Sequence, residues 1–553
     1  MSSTYFRFRS RLISIRRYLP ILVILGLMTL FFVTGIIGIN FGQGWDDEYH
    51  YETVKCSLKS RILLPCIDNP EFEFARSQDK AFYDYPSFCY LLSLISYVLG
   101  DAFQHIFLNS HTYLSIESFR LIVRPAFLAL SCCSGLWLYL SLSKTSKIAA
   151  IIATVIQLLS WEFAYHSRWI APDAVMAQFC ALWLMALARS ENSVYRLRWL
   201  AFAAIAAGLA TATKYTAGAL LPATIFFLWF TKSQTLKIRN FPVKTAITLL
   251  ILFLITFIII TPGAILQPLE FIKDVRYVMH HYSSTHTIDF GVATYDIHDG
   301  ALVFAARLWE YISFALISHI PLLSFLLMLT SLVGLTHLFR TKRQVLAITI
   351  AGIILFYTYY FSSNTVVFIV RNYLFLLPLI AFLIGNGIER MLNHSRLARF
   401  LALVLLITTI TLHSYNLIDS ALSISDSKRN DLTFLIDQYI KSHSNEKFAL
   451  SKSLQNALKS EKLPNVVKPT EADTFAYSAF ELLVLYETIK LNDYPSTRHN
   501  TFKWLGSREL NLNYYAVWEA RDKILLVPMK DADRMGLTSV LTENSLPVKN
   551  SGT

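Results

Sequence analysis

The stretch "YLPILVILGLMTLFFVTGIIGINFGQGWDDEYHY", residues 18–51, runs from an apolar segment straight into three consecutive acids, Asp46, Asp47 and Glu48. A spanning helix needs about 20 largely apolar residues, and the run from Leu19 to Ile39 supplies them behind Arg7, Arg9, Arg11, Arg16 and Arg17. A cleaved signal peptide is the alternative reading. The run is long for a signal's apolar core, and "GIIGINFGQG" offers no small-x-small cleavage pattern. The positive-inside rule then keeps the N-terminus in the cytoplasm and delivers the three acids to the far side. A simple anchor has no need of a carboxylate cluster where its helix leaves the bilayer.

The rest of the chain continues the pattern. It has 553 residues, 54% of them hydrophobic and 16% charged, with a mean hydropathy of +0.44. That composition belongs to a polytopic membrane protein. The net charge of +12 does not indicate nucleic acid, because Lys and Arg gather in short clusters between apolar runs. Further apolar runs lie near residues 118–142, 148–166, 170–189, 199–213, 215–231, 245–265, 320–339, 345–361, 371–390 and 400–417. The pair within 199–231 is short for two full crossings and reads as a tilted or partly re-entrant hairpin.

Basic connectors set the orientation. "SKTSK" (143–147), "RSENSVYRLR" (189–198), "TKSQTLKIRN" (231–240), "RTKR" (340–343) and "ERMLNHSRLAR" (389–399) all face the cytoplasm if 86–103 and 301–318 lie at the outer surface. The expected count is therefore about eleven spans, with about thirteen as the alternative. The expected domains are a transmembrane part, 1–417, with outer loops at 41–117 and 266–319, and an extracytoplasmic part, 418–553. That last part mixes "DLTFLIDQYIKSHSNEKFALSKSL" with the β-like "DKILLVPM", which predicts a small α/β domain.

Cysteines are sparse. Cys132, Cys133 and Cys180 fall in apolar runs and read as packing residues, while Cys56 and Cys66 lie in the first outer loop. A disulfide between those two is one reading and two free thiols the other. No Cys/His spacing suggests zinc.

Charged groups inside a bilayer cost several kcal/mol, so each needs a partner or a task. With the topology above, Arg120 and Arg124 of "SFRLIVRPAF", Arg168 and Asp173 of "HSRWIAPDAVM", Lys214 of "GLATATKYTAGALLP" and Arg371 of "VVFIVRNYLFLLP" all fall at the outer face with Asp46, Asp47 and Glu48. A single instance would be a structural ion pair. Their convergence suits transfer of a group from a lipid-linked phosphate. A carboxylate takes the proton of an attacking hydroxyl, and Lys or Arg stabilises the departing phosphate. Three adjacent acids cannot all ionise cheaply in a dry site, so an arginine neighbour or a raised pKa is expected.

At these residues the chain resembles the GT-C membrane glycosyltransferases, in the group of the protein O-mannosyltransferases and the bacterial aminoarabinose transferase that modifies lipid A. The matching stretches are "DEYHY" (47–51), "YPSFCYLL" (85–92), "APDAVMAQFCALWLMALAR" (171–189), "GLATATKYTAGALLP" (208–222), "TPGAILQPLEFIKDVRYVMHHY" (261–282) and "VRNYLFLLPLIAF" (370–382), in the same order. The resemblance implies a GT-C fold and Asp47 as catalytic base, with Asp46 as its competitor and Glu48 and Tyr51 shaping the pocket. It implies that Asp173, a second outer carboxylate, and Tyr215 line the substrate pocket with Tyr51, and that Lys214 and Arg371 hold the donor phosphate with Arg168 as a third. The donor would be a polyprenyl-phosphate sugar, and the acceptor a hydroxyl of a glycolipid, glycan or protein. The setting would be the plasma membrane of a bacterium or archaeon.

Two departures stand out. Aminoarabinose transferases carry a Lys beside the Pro pair where this chain has "YDYPS" with Asp84, which points away from lipid A, and there is no room for an inserted β-trefoil domain. No Asp-x-Asp triplet within 1–417 calls for a metal, and no cofactor is expected. His280, His281 and His286 suit an acceptor-side or structural role better than a metal. The competing class is a transporter or flippase of lipid-linked sugars. It would carry inverted repeats and charges at mid-depth, whereas these charges sit at span ends. An inactive relative that binds polyprenyl phosphate is a third reading, against which the intact Asp47, Lys214 and Arg371 speak.

Overall fold

The computed structural model describes residues 2–37, 39, 45–68, 81–108, 115–191, 193–231, 241–283, 300–318, 320–364, 370–425, 432–450, 454, 464–467, 469–478, 503–505 and 524–530. The chain divides into two compact units. The first comprises Met1–His281, Ala305–Asn364 and Val370–Ser425; the second comprises Tyr282–Phe304, Thr365–Ile369 and Asp426–Thr553.

Among the described residues the first unit is mostly helical. It opens with α1 (Ser2–Ile36), α2 (Trp45–Ser60), α3 (Phe88–Leu108), α4 (Ile116–Leu142), α5 (Lys147–Leu158), α6 (Trp161–His166), α7 (Pro172–Ser190), α8 (Arg196–Thr213) and α9 (Leu220–Phe230). The helices continue with α10 (Phe241–Ile260), α11 (Gly263–Leu266), α12 (Pro268–Ser283), α13 (Gly300–Tyr311), α14 (Pro321–Arg340), α15 (Gln344–Asn364), α16 (Leu377–Leu392) and α17 (Arg396–Ser425), of which the end of α12 and the start of α13 belong to the second unit. Among the described residues, seven helices are long and apolar enough to cross a membrane by length and composition: α1, α4, α10, α14, α15, α17 and the run Arg371–Leu392. The chain is a multi-pass helical membrane protein.

Two expected spans are not straight crossings. The run 148–166 is broken between α5 and α6, where Ser160 leaves the helix, caps the Phe163 N–H and donates its hydroxyl to Leu316 O at 2.9 Å. The run 215–231 is a 3-10 turn (Tyr215–Ala219) followed by α9. At 1.5 Å per residue those eleven residues of α9 rise about 16 Å, half a bilayer core. Likewise α17 continues unbroken through the expected boundary at 417 to Ser425.

Helix α7 lies at the centre, buried from Pro172 to Leu187 and packed on α4 and α8, and α16 lies beside α5, α7 and α14. The α14–α16 crossing is backbone on backbone. A Cβ on Gly334 would stand 1.9 Å from Leu383 O, and one on Gly387 1.9 Å from Thr330 O. Small residues let the helices approach this closely, which is how membrane helices gain packing where no hydrophobic drive exists between them.

Helix α2 ends in a Schellman turn: Ile62 N–H reaches Ser57 O at 3.0 Å, Arg61 N–H reaches Leu58 O at 3.3 Å, and Arg61 takes the left-handed φ of 56°. The chain then turns back, and Cys66 is disulfide-bonded to Cys56 of the same helix. Cys132 and Cys180 are buried with free thiols.

In the second unit, α18 (Leu432–Ser442) packs on a four-stranded sheet of β1 (Phe448–Leu450), β2 (Thr474–Ser478), β3 (Lys503–Leu505) and β4 (Ile524–Pro528), in the order β1-β2-β4-β3. β1 and β2 are parallel, and the other two pairs are antiparallel. Ile436, Ile440, Phe448, Leu450, Leu454, Ala476 and Leu526 form its core. This is the small α/β fold expected of the tail.

Candidate active site

The first turn of α2 carries Trp45, Asp46, Asp47 and Glu48, and acids there complement the positive end of the helix. That preference alone explains one or two carboxylates. Their partners explain the rest. Successive residues on a helix point about 100° apart, and Asp46 and Asp47 enter different ion networks.

Asp47 is completely buried. Its Oδ2 accepts from Arg120 Nε at 3.2 Å, from Arg124 Nε at 3.1 Å and from Arg124 Nη2, while its Oδ1 accepts from the Ile170 N–H at 3.2 Å. The two arginines are four residues apart on α4 and so share its inner face. Arg124 also donates to Ile39 O beyond the end of α1, and Arg120 stands 3.7 Å from Glu48. Asp47 thereby joins α2, α4, the chain after α1 and the turn before α7. Glu48 is the most exposed of the three acids.

Asp46 belongs to the other network. Its Oδ2 accepts from Arg371 Nη1 and its Oδ1 from the Tyr85 hydroxyl at 3.3 Å. Arg371 Nε lies 3.5 Å from Asp173 Oδ2, and Asp173 Oδ1 accepts from Lys214 Nζ at 2.6 Å. Lys214 also donates to Asn372 Oδ1. Four charges from four distant parts of the chain thus form one continuous chain of ion pairs: Asp46, Arg371, Asp173, Lys214. Each network holds two acids and two bases, so each is neutral overall, which is how such a cluster tolerates burial.

Local structure places each group. Lys214 is the extended residue that ends α8 (φ −151°, ψ 128°), so its side chain leaves the helix instead of running along it. Asp173 sits in the first turn of α7 behind Pro172, and Arg371 and Asn372 lie on the 3-10 segment Val370–Leu376 that leads into α16. Tyr215, next to Lys214, donates its hydroxyl to Tyr83 O at 2.9 Å. Tyr51 turns toward α4, its ring edge-on to Phe119 at 5.4 Å, with Lys55 over it.

Arg168 stands apart from Lys214 and Arg371. It is fully buried, donates to Thr34 O at 2.9 Å and stacks on Trp161 at 5.4 Å. It makes no described contact with the Lys214–Arg371 pair, and its Nε and Nη1 are buried without a hydrogen-bond partner among the described residues. His50, also on α2, is buried, and burial pushes its imidazole below the ordinary value against the opposing pull of Asp46 and Asp47. Of the three loop histidines, His280 is exposed, while the side chains of His281 and His286 lie outside the described residues. Among the described residues no three His, Cys, Asp or Glu side chains group as a metal site.

The sequence reading missed Asn372 and Tyr85. Asn372 is a polar residue inside the apolar "VRNYLFLL" and carried a usable signal. Tyr85, in a loop of mixed polarity, carried none.

Residues 107–260 match the family model of dolichyl-phosphate-mannose-protein mannosyltransferases. The segment is mannosyltransferase-like. That match spans a little over a quarter of the chain, about 28%, and contains two of the motif stretches quoted above, 171–189 and 208–222. It meets, independently, the resemblance to the GT-C glycosyltransferases.

Two solved structures are also similar. ArnT from Cupriavidus metallidurans, bound to undecaprenyl phosphate, is 12% identical, with a TM-score of 0.47, over 92% of this chain and 97% of that one. The archaeal oligosaccharyltransferase AglB from Archaeoglobus fulgidus, in complex with an inhibitory peptide and a dolichol-phosphate, is 11% identical, with a TM-score of 0.48, over 80% of this chain and 63% of that one. No curated protein sequence matches significantly.

Proposed function

We propose that the protein is an integral membrane glycosyltransferase that moves one sugar from a polyprenyl-phosphate donor to a hydroxyl on the extracytoplasmic side, with inversion at C1. The observation that carries this reading is the continuous Asp46–Arg371–Asp173–Lys214 network. Such a site holds a proton acceptor and two phosphate-binding cations within one chain of contacts.

In this reading the base is Asp46, the competitor of the Asp47 that the motif implies. Both oxygens of Asp47 are already occupied, by two guanidiniums and a backbone N–H, so neither is open to an acceptor's hydroxyl. Asp47 is instead the anchor that fixes α2 against α4. Asp46, with one arginine partner that it shares with Asp173, takes the proton.

The step is a single displacement. The acceptor oxygen bonds to the sugar C1, the C1–O bond to phosphate breaks with its electron pair on the phosphate oxygen, and the acceptor's proton goes to Asp46. One negative charge leaves Asp46 as one is gained by the phosphate. Arg371, which pairs with Asp46 beforehand, is then left without that counter-charge at the moment the phosphate needs it. Lys214, held by Asp173 and Asn372, is the second phosphate ligand. Groups already in place to stabilise charge as it develops lower the barrier more than any other single effect in most such catalysts. No metal or other cofactor enters this proposal.

The topology follows from the basic connectors: N-terminus in the cytoplasm, acids and C-terminal unit outside, in the plasma membrane of a bacterium or archaeon. The acceptor is a glycolipid, glycan or protein hydroxyl. The test is binding of bare undecaprenyl phosphate to the purified protein, followed by release of that lipid from a panel of undecaprenyl-phosphate hexoses and pentoses. Saturable lipid binding with turnover of one donor supports the reading; transport of an intact lipid-linked sugar in vesicles, without turnover, favours the flippase instead.

A further inference from the structure

The segment 81–87, "AFYDYPS", runs between α2 and α3 as a strap gripped on both sides. At its start, Ala81 bridges Cys66, Phe82 N–H donates to Pro65 O at 3.2 Å, and the Phe82 ring stacks on Tyr49 of α2 at 5.7 Å. The disulfide to Cys56 therefore ties this end to the helix that carries Asp46.

The middle of the strap is held from the opposite side. Tyr83 N–H donates to Asp274 Oδ2 of α12 at 2.7 Å, and the Tyr83 hydroxyl donates to Gln267 Oε1 at 2.5 Å. Its carbonyl accepts from Tyr215, and its ring meets the edge of Phe271 at 5.7 Å. Gly263 lies beneath, where an added Cβ would stand 2.0 Å from the Tyr83 oxygen. Ser87 N–H closes the far end on Thr261 Oγ1 at 3.2 Å. Both Tyr83 and Asp274 are buried, and burial with Asp274 and Glu270 nearby pushes the Tyr83 phenol up, so it stays a donor.

A buried carboxylate costs several kcal/mol unless it is used, and the proposed reaction does not use Asp274. Two residues along the strap from its contact stands Tyr85, whose hydroxyl donates to Asp46 Oδ1. We infer that Asp274 is a positioning residue that acts on Asp46 through the strap, by fixing Tyr83 and thereby the reach of Tyr85. This rests on the reading of Asp46 as base. The Tyr85 hydrogen bond does two things there. It orients the carboxylate, whose other oxygen is engaged by Arg371, and it gives the charged oxygen a donor whose removal is the perturbation tested below. The segment 261–274 thereby governs the chemistry without touching substrate.

The test compares Tyr85→Phe, Asp274→Ala and the conservative Asp274→Asn in the full-length protein, using the undecaprenyl-phosphate sugar that wild type turns over fastest. A hydrogen bond to a charged group is worth about 1.5–3 kcal/mol, and 1.36 kcal/mol is one pKa unit. The acid limb of kcat/KM should therefore move to higher pH by about one to two units in Tyr85→Phe and Asp274→Ala. Asp274→Asn, which keeps an acceptor for Tyr83 N–H, should restore most of it. Binding of bare undecaprenyl phosphate should stay within about twofold, and hydrogen exchange across 81–87 should rise in Asp274→Ala.

An acid limb unmoved in Tyr85→Phe overturns the inference even if Asp274→Ala does not fold, and so does a folded Asp274→Ala with wild-type exchange and pH profile. Turnover retained by Asp46→Asn sinks the base assignment itself. An inactive Asp46→Asn beside unshifted strap variants removes the positioning role alone.

Discussion

Exchanging a single charged oxygen for a neutral amide at positions 46 and 47 separates the two roles assigned to these neighbours. In Asp47→Asn the shape is kept and the charge is lost at a site with 0% exposure. Arg120 and Arg124 then lose their shared counter-charge, and an amide N–H2 faces donors instead of acceptors. Breaking a buried ion pair from one side costs about 3–5 kcal/mol, because the remaining charge is left uncompensated. Glu48, 3.7 Å from Arg120 and 39% exposed, is too far and too wet to substitute. Asp47→Asn should therefore lower the unfolding midpoint of the detergent-solubilised protein by several degrees, with activity falling as folded protein is lost. In Asp46→Asn, Arg371 keeps Asp173 at 3.5 Å, so the destabilisation should be about 1–2 kcal/mol. Its effect should be on the chemistry: loss of a general base removes about 10²–10⁴ of the rate, or roughly 3–5 kcal/mol of barrier at 1.36 kcal/mol per decade. Thermal unfolding by intrinsic fluorescence and turnover of the best undecaprenyl-phosphate sugar read the two quantities separately. An Asp47→Asn protein as stable as wild type yet inactive, beside an Asp46→Asn protein with more than about a tenth of wild-type turnover, would falsify the assignment.

Lys214→Ala should weaken binding of bare undecaprenyl phosphate about tenfold or more, as expected for a lost charge-assisted contact, measured by titration in detergent; equal affinity would make Lys214 a partner of Asp173 alone. Gly387→Ala places a methyl against Thr330 O at 1.9 Å. The gain of about 1 kcal/mol in helix propensity cannot offset that backbone clash, so the thermal midpoint should fall; an unchanged midpoint would mean the α14–α16 crossing can relax. His50 is buried in its neutral form, with its pKa below the unfolded value of about 6.5. Below that pH the unfolded chain binds more protons than the folded one, so this contribution is complete above about 6.5 and is lost as pH falls toward the folded pKa; His50→Gln should flatten the decline in stability between about pH 7 and 5. EDTA should leave turnover unchanged, and a loss restored by a divalent ion would bring a metal into the mechanism.

Much of the helical plan was readable along the chain because burial in a bilayer writes long apolar runs and the connectors carry the orienting charge. The breaks were not. Ser160 interrupts the run 148–166 because its hydroxyl caps α6 and donates to Leu316, a residue 156 positions away. For Arg168 the one-dimensional pattern records only a charge at a span end. Its partners, Thr34 and Trp161, come from packing. Asp274 sat in the stretch 261–282 without distinction, as an acid in an amphipathic helix is ordinarily solvated.

What the sequence alone determined is the inventory: a multi-pass helical protein with a small α/β tail, and a set of acids and bases at span ends that includes Asp46, Asp47, Asp173, Lys214 and Arg371. Hydropathy and charge are properties of individual residues and survive being read one at a time. The pairing of those charges is decided only in three dimensions. Two adjacent aspartates differ by about 100° around a helix, and that rotation gives Asp47 to Arg120 and Arg124 and Asp46 to Arg371. No local pattern encodes which arginine, 73 or 325 residues away, will be waiting on each side.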